Sequence, residues 1–239
     1  MEERLVSHPQ DFAAGALLLV DKPLGWTSFD VVNKLKKLLH TKVGHSGTLD
    51  PLATGLLICC TGKKTRELAS LQKLPKTYAG IFRLGAITPS DDLETEPEDH
   101  RPYEFIHDAL LHQIAGEFLG IQKQVPPLYS AVKKQGMPLY RYARQGVQVD
   151  IEPRTIQIMR FDIVSVSLPF VQVEVQCSSG TYIRALARDF GNRLGCGAYL
   201  FALRRLAIGP YRVEQARTIQ EWETYIKPLK DQLPEASSS

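Results

Sequence analysis

The chain has no apolar run long enough to cross a membrane. Its longest early stretch, Ala13–Val20, is broken by Gly15 and stops at Asp21. The first residues, MEERLVSHPQD, carry charges of both signs and lack the shape of a secretory signal. Cysteine is scarce: Cys59, Cys60, Cys177 and Cys196 form no CxxC pair and no Cys/His cluster at zinc-like spacing. Cys59 and Cys60 sit inside an apolar run, which points to small buried thiols and a cytoplasmic location. The six histidines are scattered and the acidic cluster has the wrong spacing for an EF-hand, so no metal site is expected. There is no G-x-S-x-G and no dinucleotide fingerprint. The TGKK at 61–64 fails as a P-loop, because Leu57 stands where the first glycine belongs and Lys64 where Ser or Thr belongs. No internal repeat is present.

What remains is an ordinary globular composition, 44% apolar and 23% charged over 239 residues, enough for one large domain or one domain with an insertion. The net charge of +3 is uneven. Six acids (Asp91, Asp92, Glu94, Glu96, Glu98, Asp99) fall within nine residues, and setting them aside leaves +9 over the remainder. That excess suits a polyanion, since lysines and arginines gain affinity by releasing phosphate counterions; a solvated surface beside an acidic loop is the plainer alternative.

Periodicity predicts a strand at 16–20, and a helix from a cap at Thr27 or Ser28 to about His40 through Val31, Val32, Leu35, Leu38 and Leu39. A strand is expected at 55–60, a helix at 65–74 and a strand at 78–84, followed by the acidic loop. Ile106, Leu110, Leu111, Ile114 and Phe118 mark an amphipathic helix. Residues 122–154 read as irregular at first, rich in basic and aromatic side chains. Phe170–Cys177 alternates as a half-buried strand, and the segment before it changes parity between Ile158 and Phe161, which requires a bulge or a break. A helix at 183–194 stops at Gly195, and another is expected near 218–233. The pattern is α+β: a mixed, mostly antiparallel central sheet with flanking helices.

The stretch with chemical promise is GHSGTLDPLATG at 44–55. Gly44, Gly47 and Gly55 permit close approach or positive φ, Pro51 stiffens the exit, and Asp50 stands between them. A carboxylate so held can act as a nucleophile at a sugar or pyrimidine carbon, although an Asp in a turn is common for local hydrogen-bonding reasons.

This stretch resembles the catalytic motif of the TruB family of pseudouridine synthases, and five further segments resemble that family in order. They are DKPLGWTS (21–28), KTYAGIFRLG (76–85), PLYSAVKKQGMPLYRYARQG (127–146), SSGTYIRALARDFG (178–191) and CGAYLFALRRLAIG (196–209). The resemblance implies a pseudouridine synthase fold over 15–217, an RNA-gripping insertion at about 122–154, an N-terminal tail at 1–14, and a C-terminal helix with a frayed tail at 218–239 in place of a complete PUA domain. It implies isomerisation of the T-loop uridine of tRNA, position 55 in tRNA numbering, with no cofactor. The partner is the T-arm of tRNA, and no membrane or obligate protein partner is expected for a monomeric enzyme of the bacterial stand-alone type. A tRNA-binding or tRNA-folding module with little catalysis is the alternative.

By the same resemblance Asp50 is the essential carboxylate, without distinction between attack on ribose, attack on the base and abstraction of a sugar proton. Arg184 matches the arginine that pairs with the aspartate, and Tyr78 the tyrosine that stacks on the target base. The base must be extruded from folded RNA before reaction. His45 then occupies or stabilises the vacated space, or simply bonds to the turn backbone. Tyr182 and Leu203 form the pocket wall, or plain core. Lys22, Pro23, Gly44 and Gly47 support the loop. Lys133, Lys134, Arg141 and Arg144, interleaved with Tyr129, Tyr140 and Tyr142, suit phosphate contact and stacking on RNA. Lys63, Lys64 and Arg66 add phosphate contacts or form a solvated face.

Overall fold

The structure, a computed structural model, describes residues 9–130, 133–134, 136–145, 147 and 149–230. In chain order its elements are α1 (Pro9–Gly15), β1 (Leu17–Lys22), α2 (Ser28–Leu39), β2 (Val43–His45), β3 (Ala53–Thr61), α3 (Leu68–Lys73), β4 (Lys76–Leu84) and α4 (Asp108–Glu117). There follow β5 (Gly120–Gln124), β6 (Lys133–Lys134), β7 (Met137–Pro138), α5 (Leu139–Arg144), β8 (Arg154–Ser167), β9 (Phe170–Cys177), α6 (Ile183–Leu194), β10 (Ala198–Ile208), β11 (Tyr211–Arg212) and α7 (Ile219–Lys230). Two units are separable by their contacts: Met1–Leu74 with Arg204–Ser239, and Pro75–Leu203. Strand β10 contributes its residues through Leu203 to the second unit and the rest to the first.

In the first unit β1 pairs antiparallel with β3, from Leu17 opposite Cys60 to Lys22 opposite Gly55. Strands β2 and β10 are further neighbours of β3. Both faces of this sheet are covered, so residues 17–20 of β1 and 56–60 of β3 form continuous apolar runs rather than alternating. Leu18, Val20, Leu57 and Cys59 pack with Val31 and Leu35 of α2 and with Ile219, Trp222 and Ile226 of α7. Leu19, Leu56, Ile58 and Cys60 face the other way, toward Leu71, Ile208 and Val213. This is why two cysteines stand side by side: strand geometry sends their side chains to opposite cores. Desolvation pushes both thiols up, Cys60 to about 11.

Helix α2 begins with a capping box. Thr27 accepts from the Asp30 N–H at 3.0 Å, and the Asp30 carboxylate accepts the Thr27 N–H at 2.8 Å. The C-terminal segment belongs to the same unit. Arg217 bridges β1 by donating to the Leu19 carbonyl and accepting from Asp21, and the Trp222 indole also donates to Leu19. Helix α1 takes in residues 9–14 of the expected tail, and Phe12 is buried in the same core.

In the second unit β4, β9, β8 and β5 pair in that order, all antiparallel. Val171, Val173, Val175 and Cys177 are buried as the alternation predicts. The parity change in β8 is a register shift between Ile158 and Arg160, with another between Ile163 and Ser165. Phe82, Phe118, Phe161 and Phe190 stack with centroids 5.4–6.2 Å apart.

Two expectations differ from the structure. The helix expected at 65–74 opens as a 3-10 turn over Gly62–Glu67 and becomes α-helical only at Leu68. Strand β5 runs into the span from 122 read as irregular. Its sequence, GIQKQ, exposes Ile121 and buries Gln124, the reverse of a half-buried strand, so backbone pairing with β8 alone decides it.

Gly55 has φ 101°, and a Cβ there would lie 2.3 Å from the Arg205 carbonyl oxygen. Gly55→Ala is therefore expected to lose at least about 3 kcal/mol of stability, measured by urea unfolding; an effect below about 1 kcal/mol would contradict the close approach of β3 and β10.

Candidate active site

The 46–52 loop joins β2 to β3 and is fixed from several directions. Ser46 donates its N–H to Ile58, and the Gly47 N–H donates to Nδ1 of the half-buried His45 at 3.3 Å. Gly47 adopts φ 125°, a conformation that favours glycine. Leu49 is buried, and the Ser28 hydroxyl at the start of α2 accepts its N–H at 2.9 Å and lies 3.2 Å from its carbonyl. The Asp50 carbonyl accepts the Ala53 N–H at 3.0 Å, closing a tight turn through Pro51. The Pro51 carbonyl accepts the Gly25 N–H at 2.8 Å, tying this turn to the PLG turn after β1. Asp50 is thus carried half-buried on a rigid mount.

Two buried cations hold this mount. Lys22 is fully buried; its ammonium donates to the carbonyls of Pro23 and Trp26 and reaches the Pro51 carbonyl at 3.5 Å. Burial lowers Lys22 to about 8, the Asp50 charge opposing that shift and Arg205 adding to it. Arg205 donates from Nε to the Leu56 carbonyl at 2.7 Å and from its terminal nitrogen to the Gly47 carbonyl at 3.1 Å. His45 is held below its ordinary value, first by burial and also by Arg205. The first unit therefore gathers Lys22, Pro23, Gly44, His45, Gly47 and Asp50 around one loop. Lys63 is exposed and Lys64 half-buried on the 3-10 turn, whose Gly62 donates to the Lys42 carbonyl.

The second unit carries the other candidates. Tyr78 is buried on β4 opposite Val175. Arg184 stands in the first turn of α6, 4% exposed, and donates to the carbonyls of Ser90 at 3.0 Å and Tyr129 at 3.1 Å, with Asp92 at 3.4 Å. Its neighbour Tyr182 exchanges two backbone bonds with the Gln124 side-chain amide, at 2.9 and 3.1 Å, which fastens β5 to the start of α6. Leu203 is half-buried on β10. In the insertion Lys133 and Lys134 form β6, paired with Pro138 and Met137 of β7, and Arg141 is exposed on α5. The side chains of Lys133, Lys134, Tyr140 and Arg144 lie outside the described residues. Among the described residues no group of three His, Cys, Asp or Glu side chains is placed to hold a metal ion.

The acidic loop is not wholly a solvated one. Asp91 and Asp92 are buried against α6, Asp91 paired with Arg188 at 2.8 Å and Asp92 with Arg184. Burial pushes Asp91 up to about 6, with Arg188 and Arg184 pulling it back. Sequence reasoning also missed Arg205 and Gln124. The available signal for Arg205 was an arginine pair inside an apolar run, FALRRLAIG; Gln124 offered none.

Comparisons with known proteins place this architecture. A chain in the crystal structure of a Cbf5-Nop10-Gar1 complex superposes with a TM-score of 0.72 at 28% identity, covering 98% of this chain; this chain spans 63% of that one. The sequence model described as the TruB family pseudouridylate synthase N-terminal domain matches residues 35–183, and the tRNA pseudouridylate synthase B C-terminal domain matches 184–236. Proteins named tRNA pseudouridine synthase B are similar over most of their length. That of Flavobacterium johnsoniae is 48% identical over 90% of this chain and 97% of its own, and that of Chloroherpeton thalassium 47% identical over 87% and 88%. The fold is the α+β fold of a pseudouridine synthase. The chain belongs to the TruB family.

The depressed Lys22 makes a prediction about stability. Between about 8 and the ordinary 10.5 the unfolded chain binds the proton that the folded protein releases, so stability attributable to this residue rises with pH across that window. Relative to Lys22→Met, the wild type is expected to gain roughly 2 kcal/mol between pH 8 and 10, read from urea unfolding at both values. A pH-independent difference would show that the ammonium is not desolvated.

Proposed function

We infer that this protein is a tRNA pseudouridine synthase that isomerises the T-loop uridine, position 55, to pseudouridine. The observation that carries the reading is 48% identity to a tRNA pseudouridine synthase B across 97% of that protein's length. The reaction breaks the N1–C1′ glycosidic bond, turns the uracil and joins C5 to C1′. The proton on C5 leaves to water and N1 gains one, so atoms and electrons balance with no oxidant or reductant.

On this reading the catalytic domain spans 15–217, with the insertion at about 122–154. Asp50 is the essential carboxylate; its rigid loop suits a group that must meet one carbon of an extruded nucleotide, because misplacement by about 1 Å can cost on the order of a hundredfold in rate. Tyr78 is the aromatic that stacks on the base, and Arg184 is the family's arginine. His45 fills or stabilises the place the uridine leaves, and Tyr182 and Leu203 line the pocket. Lys63, Lys64, Lys133, Lys134, Arg141 and Arg144 contact phosphates. Replacing Lys133 and Lys134 together is expected to weaken tRNA binding and flatten its salt dependence by up to about two in log–log slope; an unchanged slope removes them from the interface. The enzyme works as a monomer in the cytoplasm, where buried cysteines remain thiols.

Tritium release from C5-labelled uridine in a T-arm RNA tests the central reading. The wild type is expected to release tritium, and Asp50→Asn to fall by at least about a thousandfold. Binding without release by the wild type would favour a tRNA-folding module, and release by both would assign a different carboxylate.

A further inference from the structure

Gly47 is held through both of its flanking peptide groups, each by a side chain. Its N–H donates to His45 Nδ1 at 3.3 Å, and its carbonyl accepts from Arg205 at 3.1 Å. At φ 125° the glycine offers no side chain to define its orientation, so these two partners define it. Arg205 is 1% exposed, and its Nε is committed to the Leu56 carbonyl at 2.7 Å. With one arm fixed on β3, the planar fork presents its other arm to Gly47 in a single direction. An imidazole that accepts at Nδ1 carries its proton on Nε2 when neutral. A buried guanidinium beside it disfavours a second proton, in the same sense as the burial that lowers His45.

We infer that Arg205 is a positioning residue for His45: by fixing the Gly47 backbone, it holds the imidazole as an Nδ1 acceptor and leaves Nε2–H as the ring's donor. A neutral ring with one N–H of set direction can donate to a base acceptor in folded RNA, whereas an imidazolium would be drawn to any phosphate. The inference rests on the reading of His45 as the residue that meets the vacated position.

The test is a long-range proton–nitrogen spectrum of the full chain labelled with nitrogen-15 histidine at pH 7.5, with His45 assigned by its loss in His45→Gln. The wild type is expected to show His45 neutral and protonated at Nε2; a proton on Nδ1 overturns the inference without any variant. Arg205→Lys keeps a charge but has no fork, and is expected to mix the two tautomers while the titration midpoint stays low. Arg205→Met is expected to mix them and raise the midpoint. Near-UV circular dichroism reports whether each variant is folded, and if the Met form is not, the Lys form and the wild-type spectrum still decide. Folded variants should lose about ten- to a hundredfold in kcat/KM on T-arm RNA. An unaltered His45 spectrum in a folded Arg205 variant overturns the inference. If the spectra behave as expected but His45→Gln turns over normally, the positioning by Arg205 stands and the assigned role of His45 falls.

Discussion

A seven-residue loop between two strands cannot satisfy its own peptide groups, and an unpaired buried carbonyl or N–H costs about 1–3 kcal/mol. The loop that carries Asp50 meets this constraint with side chains added to a few main-chain bonds. Ser28 brackets Leu49, Lys22 reaches Pro51 and Arg205 holds Gly47, so the loop is pinned near its beginning, middle and end. Each pin comes from a different element, α2, β1 and β10, so the loop's geometry is inherited from the packing of the whole first unit. The capping box on α2 and the docking of α7 on β1 therefore bear on the aim of Asp50 although neither touches it.

Two of the three pins are cations taken out of water. Burying an ammonium or guanidinium is costly unless its donors are met, and here backbone carbonyls meet them: Pro23, Trp26 and Pro51 for Lys22, Leu56 and Gly47 for Arg205. Apolar residues of equal volume would remove these donors from the loop. The same charges add to the electrostatics of the loop: Asp50 opposes the lowering of Lys22 by burial, and Arg205 adds to the burial that holds His45 below its ordinary value. Support and chemistry are one arrangement here.

The second unit solves a related problem at the start of α6. Arg184 and Arg188 are one helical turn apart, and each meets a buried aspartate of the loop after β4 together with main-chain carbonyls. Arg188 holds the Val125 carbonyl and Arg184 that of Tyr129, so the segment leading into the insertion is fixed to the same helix. Two acids that looked like part of a solvated cluster are thus structural anions. The charge argument for a polyanion partner loses little, because the buried Arg184 and the half-buried Arg188 cancel them.

The sequence by itself determined the elements whose side-chain period is enforced locally: α2 with a cap at Thr27 or Ser28, which the structure resolves to Thr27, β9 with its alternation, α6 with its stop at Gly195, and the bulge or break foreshadowed by Ile158 and Phe161. Family resemblance supplied the class and the candidate residues, since GHSGTLDPLATG is a local motif. Tertiary structure alone decided what depends on partners distant in the chain. Strand β5 exists because β8 offers it a ladder, Gln124 is buried because the Tyr182 peptide meets its amide, and Asp91 and Asp92 are buried because α6 brings arginines to them. Arg205 holds the Gly47 carbonyl from 158 positions away. Period and capping are properties of neighbouring residues, while the satisfaction of a buried polar group depends on whichever atom the fold brings within 3 Å of it.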